Sequence, residues 1–245
     1  MSATAGAQNN ETTLAALSPE ARALIEPALQ AFKDIDRDMA ALDPPQNDSE
    51  RLIRLGRSDE AIRQAYAKID FGLFAEDERV PAFDVVYAEI DKRDFQNQET
   101  LKILLPPEGW FLTNKYGAEA VEAAWLVVQH SVRMQPKLMS SALDAMERFL
   151  TSGQVDKNRY AMLYDRVAMM DGRYQKFGSQ MICYRNRWVL YPVADLDTVD
   201  DRRREMGFEK TLSDNVSTFS ARVCPADWTG KLPPGSQLPG PGQLH

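Results

Sequence analysis

The chain has 245 residues, 44% of them hydrophobic and 27% charged, which is ordinary for a globular protein and enough to bury a core without metal or disulfide. A formal net charge of −7 and a pI near 5.0 argue against non-specific nucleic-acid binding and against docking on an anionic membrane surface. No apolar run approaches the ~20 residues of a membrane span, and two cysteines without CxxC spacing beside only His130 and His245 exclude a Cys/His zinc site. No metal and no cofactor is expected.

Cys183 and Cys224 read as two free thiols on the low cysteine usage, with a disulfide as the alternative for an exported protein. The N-terminus lacks a basic segment and an apolar segment, so as written it is not a signal peptide and the expected location is cytoplasmic. Ala5-Gly6-Ala7 has the small-x-small form of a cleavage site. A periplasmic or secreted protein is therefore the alternative, if a signal peptide has been removed.

Residues 1–17, rich in Ala, Thr, Asn and Gln, predict a disordered lead. Ser18-Pro19-Glu20 then starts a helix: serine as N-cap, proline in the first turn, an acid beside it. Leu24, Ile25, Leu29, Phe32, Ile35 and Met39 keep helical spacing until Asp43-Pro44-Pro45, with Pro27 as a possible kink. Asn47-Asp48-Ser49-Glu50 opens a second helical region, which Gly56 is expected to break and Ser58-Asp59-Glu60 to restart. Phe71 to Pro81 reads as a loop. Phe83 to Ile90 fits helix or strand, and the charged residues after it favour a helix continuing to Leu104.

Gly117 to about Met134 predicts a helix that is apolar around most of its circumference and therefore central, with helices packed on it. Pro136 starts another helix, closed by Ser152-Gly153. Asp156 caps a helix from Lys157 to Met170, and Gly172 is placed for its left-handed C-cap. The β-rich runs Met181-Ile182-Cys183-Tyr184 and Trp188-Val189-Leu190-Tyr191 predict a hairpin near 179–191. A charged helix from Val199 to Met206 follows. Residues 216–245, rich in Pro, Gly and Ser, predict a flexible tail that Trp228 could pin. The expected fold class is mainly α: a single-domain helical bundle over 18–215, the hairpin near its C-terminal end, and disordered ends.

From about Gly109 to Asp214 the chain resembles an uncharacterised bacterial family, domain-of-unknown-function family 6624. The resemblance rests on Ala123-Ala124-Trp125-Leu126-Val127-Val128-Gln129-His130, then Asp165-Arg166-Val167. It continues through Gly172, Gln175, Phe177, Gly178, Ser179 and Gln180 to Pro192-Val193-Ala194-Asp195 and Val199-Asp200-Asp201-Arg202-Arg203. The family's Gln-His is usually followed by Ala-Asp, where this chain has Ser131-Val132, and its Tyr-Gly-Thr-Gln appears as Phe177-Gly178-Ser179-Gln180. The resemblance carries no reaction with it.

The candidate chemistry centres on His130, at the boundary between the core face and the polar stripe of its helix, where a half-buried imidazole can act as a general base. A structural histidine is the competing reading. Asp165, on a helix with apolar residues on two sides, either orients His130 or forms a fold-locking bridge to an arginine such as Arg185 or Arg187. Gln129, Gln175, Gly178 and Gln180 are the candidate ligand-binding residues. The glutamine amides could read a polar ligand or satisfy backbone groups at the strand edge, and Gly178 suits a turn. Arg202-Arg203-Arg204 reads as a solvated helix face. The expected function is a small polar-ligand or hydrolase-like site around His130; the alternative is a non-catalytic protein-interaction or accessory module.

Overall fold

The computed structural model describes residues 3–219 and 223–238. Of the expected ends, residues 1–2, 220–222 and 239–245 lie outside them. The protein is mainly α, with ten α-helices and one two-stranded antiparallel hairpin among the described residues. It divides into two compact units, Met1–Pro136 and Lys137–His245. The helices expected as one bundle over 18–215 are distributed over both.

The first unit holds α1 (Ala3–Ala16), α2 (Pro19–Ala40), α3 (Asp48–Tyr66), α4 (Glu76–Leu104), α5 (Thr113–Tyr116) and α6 (Ala118–Gln129). The expected disordered lead is thus helical, and Leu14 and Leu17 pack on the core. Ser18 caps α2, its hydroxyl accepting the Ala21 N–H at 3.1 Å, and the helix runs on through Pro27. Asn47 caps α3 in the same way, its Oδ1 accepting the Glu50 N–H at 2.9 Å. Ile25, Phe32, Ile62, Phe71, Val86 and Ile90 belong to one buried apolar cluster.

Three local readings change. The stretch read as a loop up to Pro81 becomes helical at Glu76, and α4 then runs unbroken for 29 residues. Pro81, the sixth residue of α4, forgoes the one N–H bond it would make to Asp77 O, and the burial of Ala82, Val85 and Val86 beyond it offsets that loss. Secondly, Gly56 does not break α3; it lies buried inside a 19-residue helix. A Cβ on Gly56 would sit 2.5 Å from Ala123 Cβ and 2.7 Å from Ala123 Cα on α6. The glycine lets two helices touch backbone to backbone, a tertiary gain that outweighs its poor helix propensity of ~1 kcal/mol. Thirdly, α6 ends at Gln129 rather than near Met134, and His130 is its C-cap residue, with φ −93° and ψ 4°.

The second unit holds α7 (Pro136–Glu147), α8 (Lys157–Met170), β1 (Met181–Tyr184), β2 (Arg187–Leu190), α9 (Val199–Glu205) and α10 (Leu212–Phe219). Asp156 caps α8, accepting the Arg159 N–H at 2.9 Å. Gly172 follows its end in the left-handed conformation, φ +70°. The strands pair in the register Met181↔Leu190 and Cys183↔Trp188, around a tight turn in which Arg185 and Asn186 both have positive φ. Ile182, Val189, Tyr191 and Met169 form a small buried core, with Trp228, Leu232 and Leu238 packed against it.

The segment expected as a flexible tail is therefore bound to the hairpin where it is described. The helix α10 reaches Phe219, and Cys224 forms a disulfide with Cys183, against the free-thiol reading. The Trp228 N–H donates to Cys183 O at 2.8 Å, and the Tyr191 hydroxyl donates to Lys231 O at 2.9 Å. No described helix is long and apolar enough to cross a membrane.

Candidate functional site

In the first unit the Gly56–Ala123 contact sets two helical stripes against each other. Asp59 and Arg63 follow Gly56 by three and seven residues, and His130 follows Ala123 by seven, so each set shares one helix face. His130 Nδ1 lies 2.8 Å from Asp59 Oδ2, where the carboxylate is almost fully enclosed and the imidazole is about one quarter exposed, at 23%. An ionised carboxylate only accepts hydrogen bonds, so such a partner favours the proton on Nδ1 of the imidazole.

Asp59 is joined to a second carboxylate through Arg63. The Arg63 Nη2 donates to both oxygens of Asp94, at 2.7 and 2.6 Å, and lies 3.6 Å from Asp59 Oδ1. Burial opposes the charge on Arg63, but Asp94 and Asp59 outweigh it and raise its pKa. Burial also pushes the Asp94 carboxyl up to about 6, against the pull of Arg63. One turn before Asp94 on α4, Asp91 accepts from Arg133 Nε at 3.0 Å. Desolvation raises its pKa too, with Arg133 opposing. The first unit thus contains a chain His130–Asp59–Arg63–Asp94 assembled from α3, α4 and the end of α6. Gln129 is buried immediately before His130.

In the second unit, Asp165 is wholly buried on α8, and its carboxylate is engaged by main chain. It accepts the N–H groups of Lys176 at 2.7 Å, Phe177 at 3.0 Å and Ser179 at 2.9 Å. Desolvation raises the Asp165 pKa, and the three donors work against that by favouring the anion. Gln175 spans the same turn: its amide donates to Gln180 O at 3.0 Å and Tyr191 O at 2.7 Å and accepts the Gln180 N–H at 2.6 Å. The Gln180 amide donates to Ser179 Oγ at 2.9 Å. Gly178 has φ +66°, and a Cβ there would fall 2.4 Å from Leu212 Cδ1.

The arginines of α9 close this knot from the carbonyl side. Arg203, 2% exposed, donates through Nη1 to Phe177 O at 2.8 Å and through Nε to Lys210 O at 2.9 Å. Arg202 donates to Lys176 O at 2.8 Å and Ala194 O at 2.6 Å. The reading of this triplet as a solvated face therefore holds only for Arg204, which is exposed and paired with Asp201. In the turn 175–180 the N–H groups of Lys176, Phe177 and Ser179 are on Asp165, and the carbonyls of Lys176 and Phe177 are on Arg202 and Arg203.

Among the sequence candidates, then, His130 has a carboxylate partner, and Asp165, Gln175 and Gln180 make the backbone bonds just described. The acid that meets His130 is Asp59, which sequence reading took as part of a helix restart after Gly56. Arg63 and Asp94 also escaped notice. The available signal was the i,i+3,i+7 spacing of Gly56, Asp59 and Arg63, which places charged residues on the face of a close helix contact.

A family model described as a family of unknown function, DUF6624, matches residues 46–217. No curated protein and no solved structure matches the chain.

Proposed function

Because the chain belongs to this family of unknown function, DUF6624, which brings no reaction with it, we propose a function from the geometry: a small polar-ligand site with hydrolase-like acid–base chemistry at His130. The observation that carries the reading is the 2.8 Å contact from His130 Nδ1 to the buried Asp59. A carboxylate in that position holds the imidazole in one tautomer and orientation and stabilises the imidazolium after proton uptake at Nε2. Arg63 lies 3.6 Å from the other Asp59 oxygen and pairs closely with Asp94, so the buried carboxylate beside His130 has a cation next to it. Gln129 is buried immediately before His130, while Asp165, Gln175, Gly178 and Gln180 shape the turn of the second unit.

The test is a thermal-shift screen of polar metabolites against wild type, His130→Ala and Asp59→Asn, followed by turnover assays on the compounds that bind. A ligand should stabilise wild type and not His130→Ala, and Asp59→Asn should lower any turnover by about 10²-fold or more. Ligands that stabilise wild type and His130→Ala equally would remove His130 from the site.

The Cys183–Cys224 bond supports the periplasmic or secreted alternative for location, since such bonds persist in oxidising compartments.

A further inference from the structure

A cleft of ≈ 420 Å³ in the second unit is lined by Arg203, Ser179, Asn215, Lys210 and Arg159, among others. We propose that it binds a small oxyanion, the phosphate or carboxylate group of a metabolite, on the outer edge of the Arg203 guanidinium. Its lining comes from the second unit alone, and it does not depend on the acid–base reading above.

The Arg203 charge is only partly compensated. Arg203 is 2% exposed, yet its nearest carboxylate oxygen, Asp200 Oδ1, is 3.9 Å away, beyond hydrogen-bonding distance. Its Nε and Nη1 donate inward to the Lys210 and Phe177 carbonyls, and Nη2 donates to none of the described residues. The Phe208 ring covers one guanidinium face, with Cζ 4.3 Å from the ring centroid, so the plane is held in place. Burying a guanidinium without a full counter-charge is expensive. The same cost shows in its pKa, which burial lowers against the pull of Asp200, Asp165 and Asp214.

An oxyanion supplies what is missing. A planar guanidinium with an open edge matches two oxygens of a carboxylate or phosphate, and such bonds are among the strongest in proteins. The cleft's charged lining favours an anion as well. Arg159 and Lys210 join Arg203 there, against Asp156 and Glu209, in a protein whose overall charge is −7. Ser179 and Asn215 add neutral hydrogen-bonding groups at the wall.

The experiment is an amide and arginine-side-chain NMR titration of the full chain at constant ionic strength, with inorganic phosphate in one arm and malonate in the other. Saturable shifts are expected at Arg203 Nε–H, Phe208 and Lys210. Saturation with phosphate alone identifies a phosphate ligand, and with malonate alone a carboxylate. Arg203→Lys, which keeps the charge and loses the fork, should weaken binding about tenfold. Lys210→Glu, on the exposed rim, should weaken it about threefold or more while leaving the fold intact. Unsaturable shifts in both arms, or unchanged affinity in folded Lys210→Glu, overturn the proposal.

Discussion

Asp59 Oδ2 and His130 Nδ1 meet at 2.8 Å although 71 residues separate them in the chain. The contact exists because Gly56 and Ala123 bring α3 and α6 into backbone contact and the two stripes then continue toward the end of α6. Removing Asp59 leaves His130 without this acceptor and Arg63 with Asp94 as its remaining carboxylate. Asp59→Ala is expected to cost about 3 kcal/mol of unfolding free energy. In a double-mutant cycle with His130→Ala, the coupling should be on the order of 1 kcal/mol, measured by urea denaturation. Strict additivity would mean that the contact contributes no pairwise energy.

The helix contact itself is open to test. Gly56→Ala should gain ~1 kcal/mol of intrinsic helix propensity. The clash with Ala123 outweighs it, for a net loss of about 2 kcal/mol. Adding Ala123→Gly should recover part of the loss, because the Cβ at 2.5 Å is gone while the Cα at 2.7 Å remains. A Gly56→Ala protein as stable as wild type would show that the two helices separate at no cost.

Asp94 confers a pH dependence of definite sign. Its carboxyl titrates near 6 in the folded protein, whereas its ordinary value is 3.8. Between those values the folded state binds more protons than the unfolded state, so stability falls as pH rises through the window. The contribution is fully present only below the lower value and is lost through the upper one. Asp94→Asn removes this term. The stability of wild type relative to Asp94→Asn should therefore decline between pH 4 and 6, by on the order of 2 kcal/mol. Denaturation curves at pH 4, 5, 6 and 7 measure it, and parallel pH profiles for the two proteins would rule it out.

The Cys183–Cys224 bond closes a loop with a sequence separation of 41 residues. Chain-entropy arguments give a loop of that length about 4 kcal/mol of stabilisation. Protein purified under oxidising conditions should show no reactive thiol after denaturation, and reduction should lower its melting temperature and loosen the segment around Trp228. Two reactive thiols in such a preparation would return the pair to the free state.

The sequence alone determined the local features of this protein. Caps at Ser18, Asn47 and Asp156, the left-handed glycine at position 172 and the β-branched and aromatic runs of the hairpin all act within a few residues, so they are legible in linear order. The resemblance to the family was legible as well, because its motifs are contiguous. Tertiary structure decided the partners. Gly56 looks like a helix breaker until Ala123 lies against it, and Asp59 looks like part of a helix restart until His130 does. Arg203 looks solvated until the 175–180 turn brings the Phe177 carbonyl to it. In each case a residue's local preference was weak, at about 1 kcal/mol. The burial and pairing supplied by a distant segment were larger, and they set the residue's role.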